Sequence, residues 1–436
     1  MDLKSIENIV SLCKRRGFIF QSSEIYGGLG STWDYGPYGV EMKQKIKNFW
    51  WHDVVTSREN VVGMDAAILM HPKTWEASGH VSNFHDPLVD CKNCKARYRA
   101  DHIDLKKPCM KCGITDWTEP RQFNLMFKTF IGPVEDSGEI AYLRPETAQG
   151  IFVNFMNVQN TSRQKLPFGI AQLGKAFRNE ITTGNFLFRT REFEQMELEF
   201  FIYPGENKKW LDYWCEERLN WFNKIGINSK KLRLRPHDKD ELAHYSSACY
   251  DIEYEFPFGW SELEGIADRG SFDLDQHNEF SGKKQQYFNQ QTNERVIPHV
   301  VESSAGVDRT FLTCLVDAYC EEEVRGEKRI VLKLDPKIAP ITCAVLPLVK
   351  KDGLPEIAQK IVEDIRIKFS ALFDQGGSIG RRYRRQDEAG TPFGVTIDHQ
   401  TIEDGTVTLR DRDTMEQIRI PGEKVLAELQ VKINRT

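Results

Sequence analysis

Two stretches alternate apolar and polar side chains with a period of two, and only a short polar segment separates them. In "PFGIAQLGKAFRNE" (167–180), Gln172, Gly174, Ala176, Arg178 and Glu180 fall on one side, while Leu173 and Phe177 lie opposite. In "REFEQMELEFFI" (191–202), Phe193, Gln195 and Glu197 share one side and Met196, Leu198, Phe200 and Ile202 the other. A strand sends successive side chains to opposite faces, so each stretch reads as a strand with one face committed to a core. Thr182, Thr183, Gly184 and Asn185 between them suit the loop of a hairpin. The pattern predicts an antiparallel sheet whose second face carries guanidinium, carboxylate, amide and aromatic groups together.

A solvated hairpin stitched by surface ion pairs is the plain account of such charges, each pair contributing about 0–1 kcal/mol. The regular alternation argues for a binding face instead. Arginine presents a planar fork to phosphate, and an exposed ring such as Phe193 suits stacking on a purine, so the suggested ligand is a nucleotide. The chain has no GxxxxGK[ST] loop, and "YGGLGSTWDYGPYG" (26–39) lacks the strand and helix setting of a dinucleotide fingerprint. Phosphates would therefore be held by arginines on a sheet.

With 436 residues the chain has room for two or three domains. It has no run of 18 apolar residues, and "MDLKSIENIVSLCKRRGF" lacks the apolar region of a secretion signal, which predicts a cytoplasmic protein with no membrane partner. The net charge of −5 gives no global attraction to nucleic acid, so RNA contact would depend on local basic patches such as "GRRYRRQDE" (380–388), read here as a basic loop. Arg381, Arg382, Arg384 and Arg385 in that run are, on charge pattern alone, a solvated face.

Of ten cysteines, four form "CKNC" and "CMKC": Cys91, Cys94, Cys109 and Cys112, with 14 residues between the pairs. Two thiolate pairs on tight turns supply four tetrahedral ligands to zinc, and the spacing is just short of the usual range; four free thiols are the alternative. The charged, turn-rich surroundings mark residues 88–120 as an insertion. Residues 40–55 place Met42, Ile46, Phe49 and Trp50 on one helical face, and 209–223 read as a second helix. Residues 297–319 pass from an apolar strand to a helix with Val307, Phe311, Leu315 and Tyr319 on one face; Glu302, Ser304 and Gly306 sit at the junction and Arg309 one turn on. After the connector "LKLDPKIAP" (332–340), where few contacts are expected to cross, a strand, a helix over 354–373 and two strands predict a separate α/β module.

These pieces resemble the class II aminoacyl-tRNA synthetases, and within them the dimeric, glycine-specific branch. "DYGPYG" with its helix is similar to the first family motif, "FRNE" through "TREFEQME" to the second, and "ESSAGVDRT" to the third; "LRPETAQGIF", "SGHVSNFHDPLVDC", "RYRADH", "TEPRQFNLMF" and "SELEGIADRG" are similar to stretches of the glycine branch. "GRRYRRQDEAGTPFGVTID" resembles the anticodon-binding domain shared with the threonine, proline and histidine enzymes.

The resemblance implies an α+β fold: a class II antiparallel-sheet catalytic domain (1–335) carrying the zinc-ribbon-like insertion (88–120), then an anticodon-binding domain (338–436) of α/β type. It implies a homodimer that joins glycine to tRNA(Gly) through a glycyl-adenylate, with ATP and Mg²⁺. Arg178, Glu180 and Arg309 would be catalytic, Arg178 on the α-phosphate and Arg309 on the γ-phosphate, with Phe193 on adenine. The ATP set extends to Asn179, Phe188, Arg189, Thr190, Arg191, Glu192, Glu262, Leu263, Gly306, Val307 and Asp308. Glycine would be met by Arg99, Glu146, Phe193, Gln195, Glu197, Arg269, Glu302, Ser304 and Gly306. A ligand without a side chain has to be selected by filling the space a larger one needs. Two other readings are a synthetase-like protein without catalysis, acting as an RNA-binding or accessory subunit, and a class II enzyme for threonine, proline or serine.

Overall fold

The computed structural model describes residues 4–435 except 134–138, 182–183, 244–245 and 325. Thr182 and Thr183 of the expected hairpin loop thus lie outside the described residues.

The two alternating stretches pair as expected. Strands β1 (Val61–Gly63), β2 (Phe168–Phe177), β3 (Glu192–Ile202), β4 (Leu232–Pro236), β5 (Ala248–Phe256), β6 (Gly259–Gly270) and β7 (His299–Gly306) form one sheet in the order β4-β5-β6-β7-β3-β2-β1. All neighbours are antiparallel except β1 with β2. The register sets Phe193 opposite Ala176, Gln195 opposite Gly174 and Glu197 opposite Gln172, so the polar positions of both strands share one face. The other face is core: Met196, Leu198, Phe200 and Ile202 pack with Met42, Ile46 and Trp50 of the helix Pro37–Trp51 and with Phe311 and Leu315 of the helix Val307–Ala318.

Pro37 starts its helix with φ already helical and no N–H to leave unpaired. Two residues on, a side chain on Gly39 would place its Cβ 1.9 Å from the Phe18 carbonyl oxygen, so only glycine lets this helix lie against the strand beside it. The helix Asn207–Lys224 covers the rest of the apolar face. On the polar face, the helix Ala148–Ser162 roofs one end through Ile151, Phe152 and Phe155, packed on Phe168, Ile170, Phe201 and Val300. The other end of that face stays open as a cavity of about 310 Å³.

The carboxy-terminal residues build a second core. Strands β8 (Cys343–Pro347), β9 (Ala371–Phe373), β10 (Phe393–Ile397), β11 (Thr406–Asp411) and β12 (Gln417–Pro421) run β9-β8-β10-β11-β12, parallel in the first three and antiparallel after. Val345, Val395, Ile397 and Val407 pack there with Leu354, Val362 and Ile365. The expected helix over 354–373 ends at Arg366 and yields to β9.

The arginine run is not a loop and not wholly solvated. It is the helix Ile379–Ala389, in which Arg382 is 2% exposed and donates to the carbonyls of Pro347 (2.6 Å), Asp374 (3.1 Å) and Leu348 (3.3 Å). Arg385 pairs with Asp374 at 2.6 Å and Arg384 with Glu327, while Arg381 is exposed. The connector is also crossed by contacts. Arg329, 7% exposed, pairs with Asp387 at 2.9 Å and donates to the Arg412 carbonyl at 2.7 Å; Arg15 and Arg16 reach Glu388; and Lys45 donates to the Ala339 carbonyl at 2.5 Å.

Candidate active site

The open end of the polar face is walled by β2, β3, β6, β7 and the first turn of the helix that follows β7. Arg178 leaves the end of β2, its Nε donating to the Pro145 carbonyl at 3.0 Å and its guanidinium 5.3 Å from the Phe193 ring and 5.3 Å from that of Phe84. The rings fix the cation, and the rest of its fork faces the cavity. Gly306 ends β7 in extended conformation, and Arg309 rises from the first turn beyond it to lie 4.4 Å from the Phe188 ring. Arg309 pairs with Glu262 at 3.1 Å, and that guanidinium outweighs desolvation to hold the Glu262 carboxyl below its ordinary range. Two guanidiniums therefore look into one cavity across the Phe193 ring.

The deeper end is acidic. Glu146, Glu197 and Glu302 all line it, beside Gln195 and Ser304. Gln195 donates to Ser304 Oγ at 3.1 Å and accepts the Thr147 N–H at 3.2 Å, while Thr147 Oγ1 donates to Glu197 at 2.7 Å. Burial pushes Glu146 up, but His80 at 3.3 Å, with Arg269 behind it, more than reverses this and holds the carboxyl well below the usual range. Glu197 is driven well above it, by burial first and the Glu302 charge second. Glu302 is raised too, by burial, with Arg269 opposing. Glu197 and Glu302, crowded where they resist ionising, would be relieved by an incoming cation.

The structure brings most of the expected residues to this one cavity. Arg178, Glu180, Phe188, Arg189, Thr190, Phe193, Glu262, Leu263, Gly306, Asp308 and Arg309 are on its wall, as are Glu146, Gln195, Glu197, Glu302 and Ser304. Others stand behind it. Arg269 is 2% exposed, clamping Asp273 at 2.7 Å and Glu302 at 2.5 Å. Arg191 donates to the Gly30 carbonyl at 2.7 Å and the Glu180 carbonyl at 3.3 Å, and so ties the 26–32 loop to the hairpin. Glu192 pairs with Lys175, Val307 is in the core, and the Asn179 N–H donates to Leu125. Arg99 pairs with Asp86 at 3.0 Å and Asp101 at 2.7 Å.

His237, Glu241, Ser246, Cys249 and Asp251 also line the cavity and were not read from the sequence. The signal existed in part: in "ACYDIEYEF" (248–256) Ile252, Tyr254 and Phe256 are core, which leaves Cys249 and Asp251 on the polar face. Asp308 does double duty. It accepts from Tyr35, from Lys43 at 3.0 Å and from the Glu194 N–H at 2.7 Å, and so joins the helix Pro37–Trp51 to the strand under Phe193.

Outside the cavity, strands His85–Asp90, Arg97–Arg99 and Arg121–Asn124 form a small antiparallel sheet that carries the cysteine turns. One sulfur from each of Cys91, Cys94, Cys109 and Cys112 lies within 4.8 Å of all the others, with Cys91 to Cys112 at 3.6 Å and Cys94 to Cys109 at 3.7 Å. Zinc–sulfur bonds of about 2.3 Å in a regular tetrahedron need sulfur–sulfur edges of about 3.8 Å, so the four fit one ion.

Residues 129–319 match the family described as the tRNA synthetase class II core domain (G, H, P, S and T), and residues 342–432 match the anticodon binding domain. The glycine–tRNA ligase of Treponema denticola is 55% identical over 439 residues, covering 98% of this chain and 97% of its own. That of Borrelia hermsii is 57% identical over 421 residues, covering 95% of each chain. That of Geobacillus thermodenitrificans is 55% identical over 457 residues, covering 98% of each. With the antiparallel sheet, the paired arginines and these two domains in order, the chain belongs to the glycine–tRNA ligases of the class II aminoacyl-tRNA synthetase family.

Proposed function

We propose that the cavity activates glycine with ATP as glycyl-adenylate and then passes the glycyl group to tRNA(Gly), with the arginine end taking the nucleotide and the carboxylate end the amino acid. The observation that supports this most is the division of one cavity into two opposite electrostatic halves. A glycine placed with its ammonium among Glu146, Glu197 and Glu302 points its carboxylate toward Arg178, where the α-phosphate would lie. The carboxylate is already a nucleophile at neutral pH, so no general base is needed. Attack on the α-phosphorus builds charge on phosphate oxygens, and Arg178 and Arg309 are already aimed there, held by ring faces and backbone carbonyls. Phe193 offers its ring to adenine. Mg²⁺ arriving with ATP would neutralise phosphate charge, and the half-exposed Glu262 carboxylate offers the hard oxygen donor it prefers.

Residues 1–335 form the catalytic domain in this reading, 88–120 its metal-bearing insertion, and 338–436 the part that reads the anticodon. The protein works as a homodimer in the cytoplasm. Among the described residues no helix is long and apolar enough to cross a membrane.

The glycine assignment is tested by the pH dependence of the glycine KM in ATP–pyrophosphate exchange. Burial raises both Glu197 and Glu302, so an ammonium that needs them ionised must displace protons on binding. The glycine KM should therefore fall as the pH rises above the ordinary carboxylate range, and Glu197→Gln should raise it roughly 10- to 100-fold with little change for ATP. A glycine KM indifferent to both would overturn the assignment.

The four sulfurs are read as a structural zinc site. Purified protein should contain about one zinc per chain, and Cys109→Ser should lose the metal and loosen the insertion to proteolysis. Metal analysis finding none, in protein kept from chelators, would leave four free thiols.

A further inference from the structure

Beneath the acidic end of the cavity lies a carboxyl group that no step above uses. Glu199 follows Glu197 by two residues on β3 and so shares its face; it is fully buried, and neither carboxyl oxygen has a hydrogen-bond partner among the described residues. One carboxylate oxygen from each of Glu197, Glu199 and Glu302 lies within 4.8 Å of the others. The groups facing Glu199 are Glu197 on its own strand, Glu302 on β7, Arg269 on β6 and Asp273 on the helix Phe272–Ser281. Arg269 is the cation of this set, and it is already clamped on Asp273 and Glu302. Four carboxyl groups thus share one guanidinium in a dry interior, and the ammonium of glycine would add a second positive charge. Even then the negative charges stay in excess if every carboxyl is ionised. Buried charges without partners cost several kcal/mol each, so at least one of the four has to hold a proton.

We propose that Glu199 is a positioning residue that keeps this proton when glycine binds, so that in the complex Glu197 and Glu302 are both ionised against the ammonium. It is the member without a hydrogen bond, and of the two that do not reach the cavity wall it is the one without an ion pair to Arg269, which clamps Asp273. Burial and the Glu302 charge push its carboxyl well above the ordinary range, which agrees with the geometry. A neutral Glu199 carries an O–H that a turn of its carboxyl would bring onto the Glu302 or Glu197 oxygen now within 4.8 Å, a bond that would fix that carboxylate's rotamer and use one of its lone pairs on the protein side. The opposite lone pairs remain for the ligand. A side chain that acts through its neighbours in this way tunes glycine affinity while never touching glycine.

The inference rests on assigning the acidic end of the cavity to glycine, and the experiment separates the two. Wild type, Glu197→Gln, Glu199→Gln and Glu199→Leu are compared by glycine KM and ATP KM in exchange, and wild type and Glu199→Gln also by infrared difference spectroscopy in the region of the protonated carboxyl carbonyl stretch. Glutamine keeps the neutral, donating character and leucine removes it. Glu199→Leu should raise the glycine KM about tenfold or more without a matching change for ATP, and Glu199→Gln should restore most of that loss. At saturating glycine, the infrared band of a buried protonated carboxyl should be present in wild type and absent from Glu199→Gln. Should Glu199→Leu fail to fold, the infrared comparison decides alone. A band that survives in Glu199→Gln, or a glutamine variant as weak for glycine as the leucine one, would overturn the proton assignment. A Glu197→Gln variant with unaltered glycine KM would overturn the underlying pocket assignment instead.

Discussion

Arg178→Ala and Arg309→Ala each reduce glycine-dependent ATP–pyrophosphate exchange by roughly 100- to 1000-fold, the loss of about 3–4 kcal/mol that a fixed contact to transition-state charge contributes. The fold should survive both changes. Arg178 is anchored by a single bond to a backbone carbonyl and by two ring faces, and Arg309 by carbonyls of Phe188 and Glu262 and an ion pair that is half-exposed on the Glu262 side. Neither holds core. Removing Arg309 frees Glu262, whose carboxyl should then titrate nearer its ordinary range, because that guanidinium is the main cause of its depression. The loss should appear in kcat at saturating ATP as well as in KM, since charge on the phosphates grows toward the transition state. Lysine at either position should recover little: a point charge cannot reproduce a fork held flat by an aromatic ring. Exchange within a few-fold of wild type in either alanine variant would remove that residue from the phosphate site.

Deleting residues 338–436 leaves glycine-dependent exchange largely intact and lowers tRNA charging steeply. Every residue placed on the cavity wall precedes residue 310, and the deleted part has its own sheet and its own core, apart from Ile338 and Ala339, which are buried in the first core. The effect on charging should come through weaker tRNA binding, and the remaining affinity should depend less on salt, because phosphate contacts have gone. The contacts across the connector set the design. Arg329 would lose Asp387 and the Arg412 carbonyl and keep only its pair with Glu322, so the truncated chain should carry Arg329→Gln as well. Arg382 belongs to the interior of the deleted part, so Arg382→Ala in the full chain tests stability and not RNA binding; Arg381, being exposed, is the informative member of that run. A truncated chain that is folded and charges tRNA as well as the full one would contradict the assignment of 338–436.

The hairpin and its polar face were legible because a strand's period of two is strict: once Met196, Leu198 and Phe200 are core, Phe193, Gln195 and Glu197 must face the other way. Arg309 was legible as the first turn of a helix whose apolar stripe runs through Phe311 and Leu315. His237 and Glu241 were not, because they sit in the irregular segment that follows β4, where no periodicity fixes a face. Nor does charge pattern separate Arg382 from its neighbours. What buries it is three carbonyls, two of them more than thirty residues away, and a one-dimensional run of arginines carries no trace of those partners. The same holds for the partners of Arg269 and Arg191, two expected ligand contacts: Asp273 and Glu302 for the first, the Gly30 and Glu180 carbonyls for the second.

The central claim is that this cavity selects glycine, and amino-acid-dependent ATP–pyrophosphate exchange with glycine, alanine, serine, threonine and proline in parallel tests it most directly. The account predicts exchange with glycine and little or none with the other four, because Glu197, Gln195 and Ser304, tied to one another and to Thr147, would crowd the space a side chain needs. Exchange driven equally well by serine, threonine or proline, or by no amino acid at all in folded protein, would contradict it.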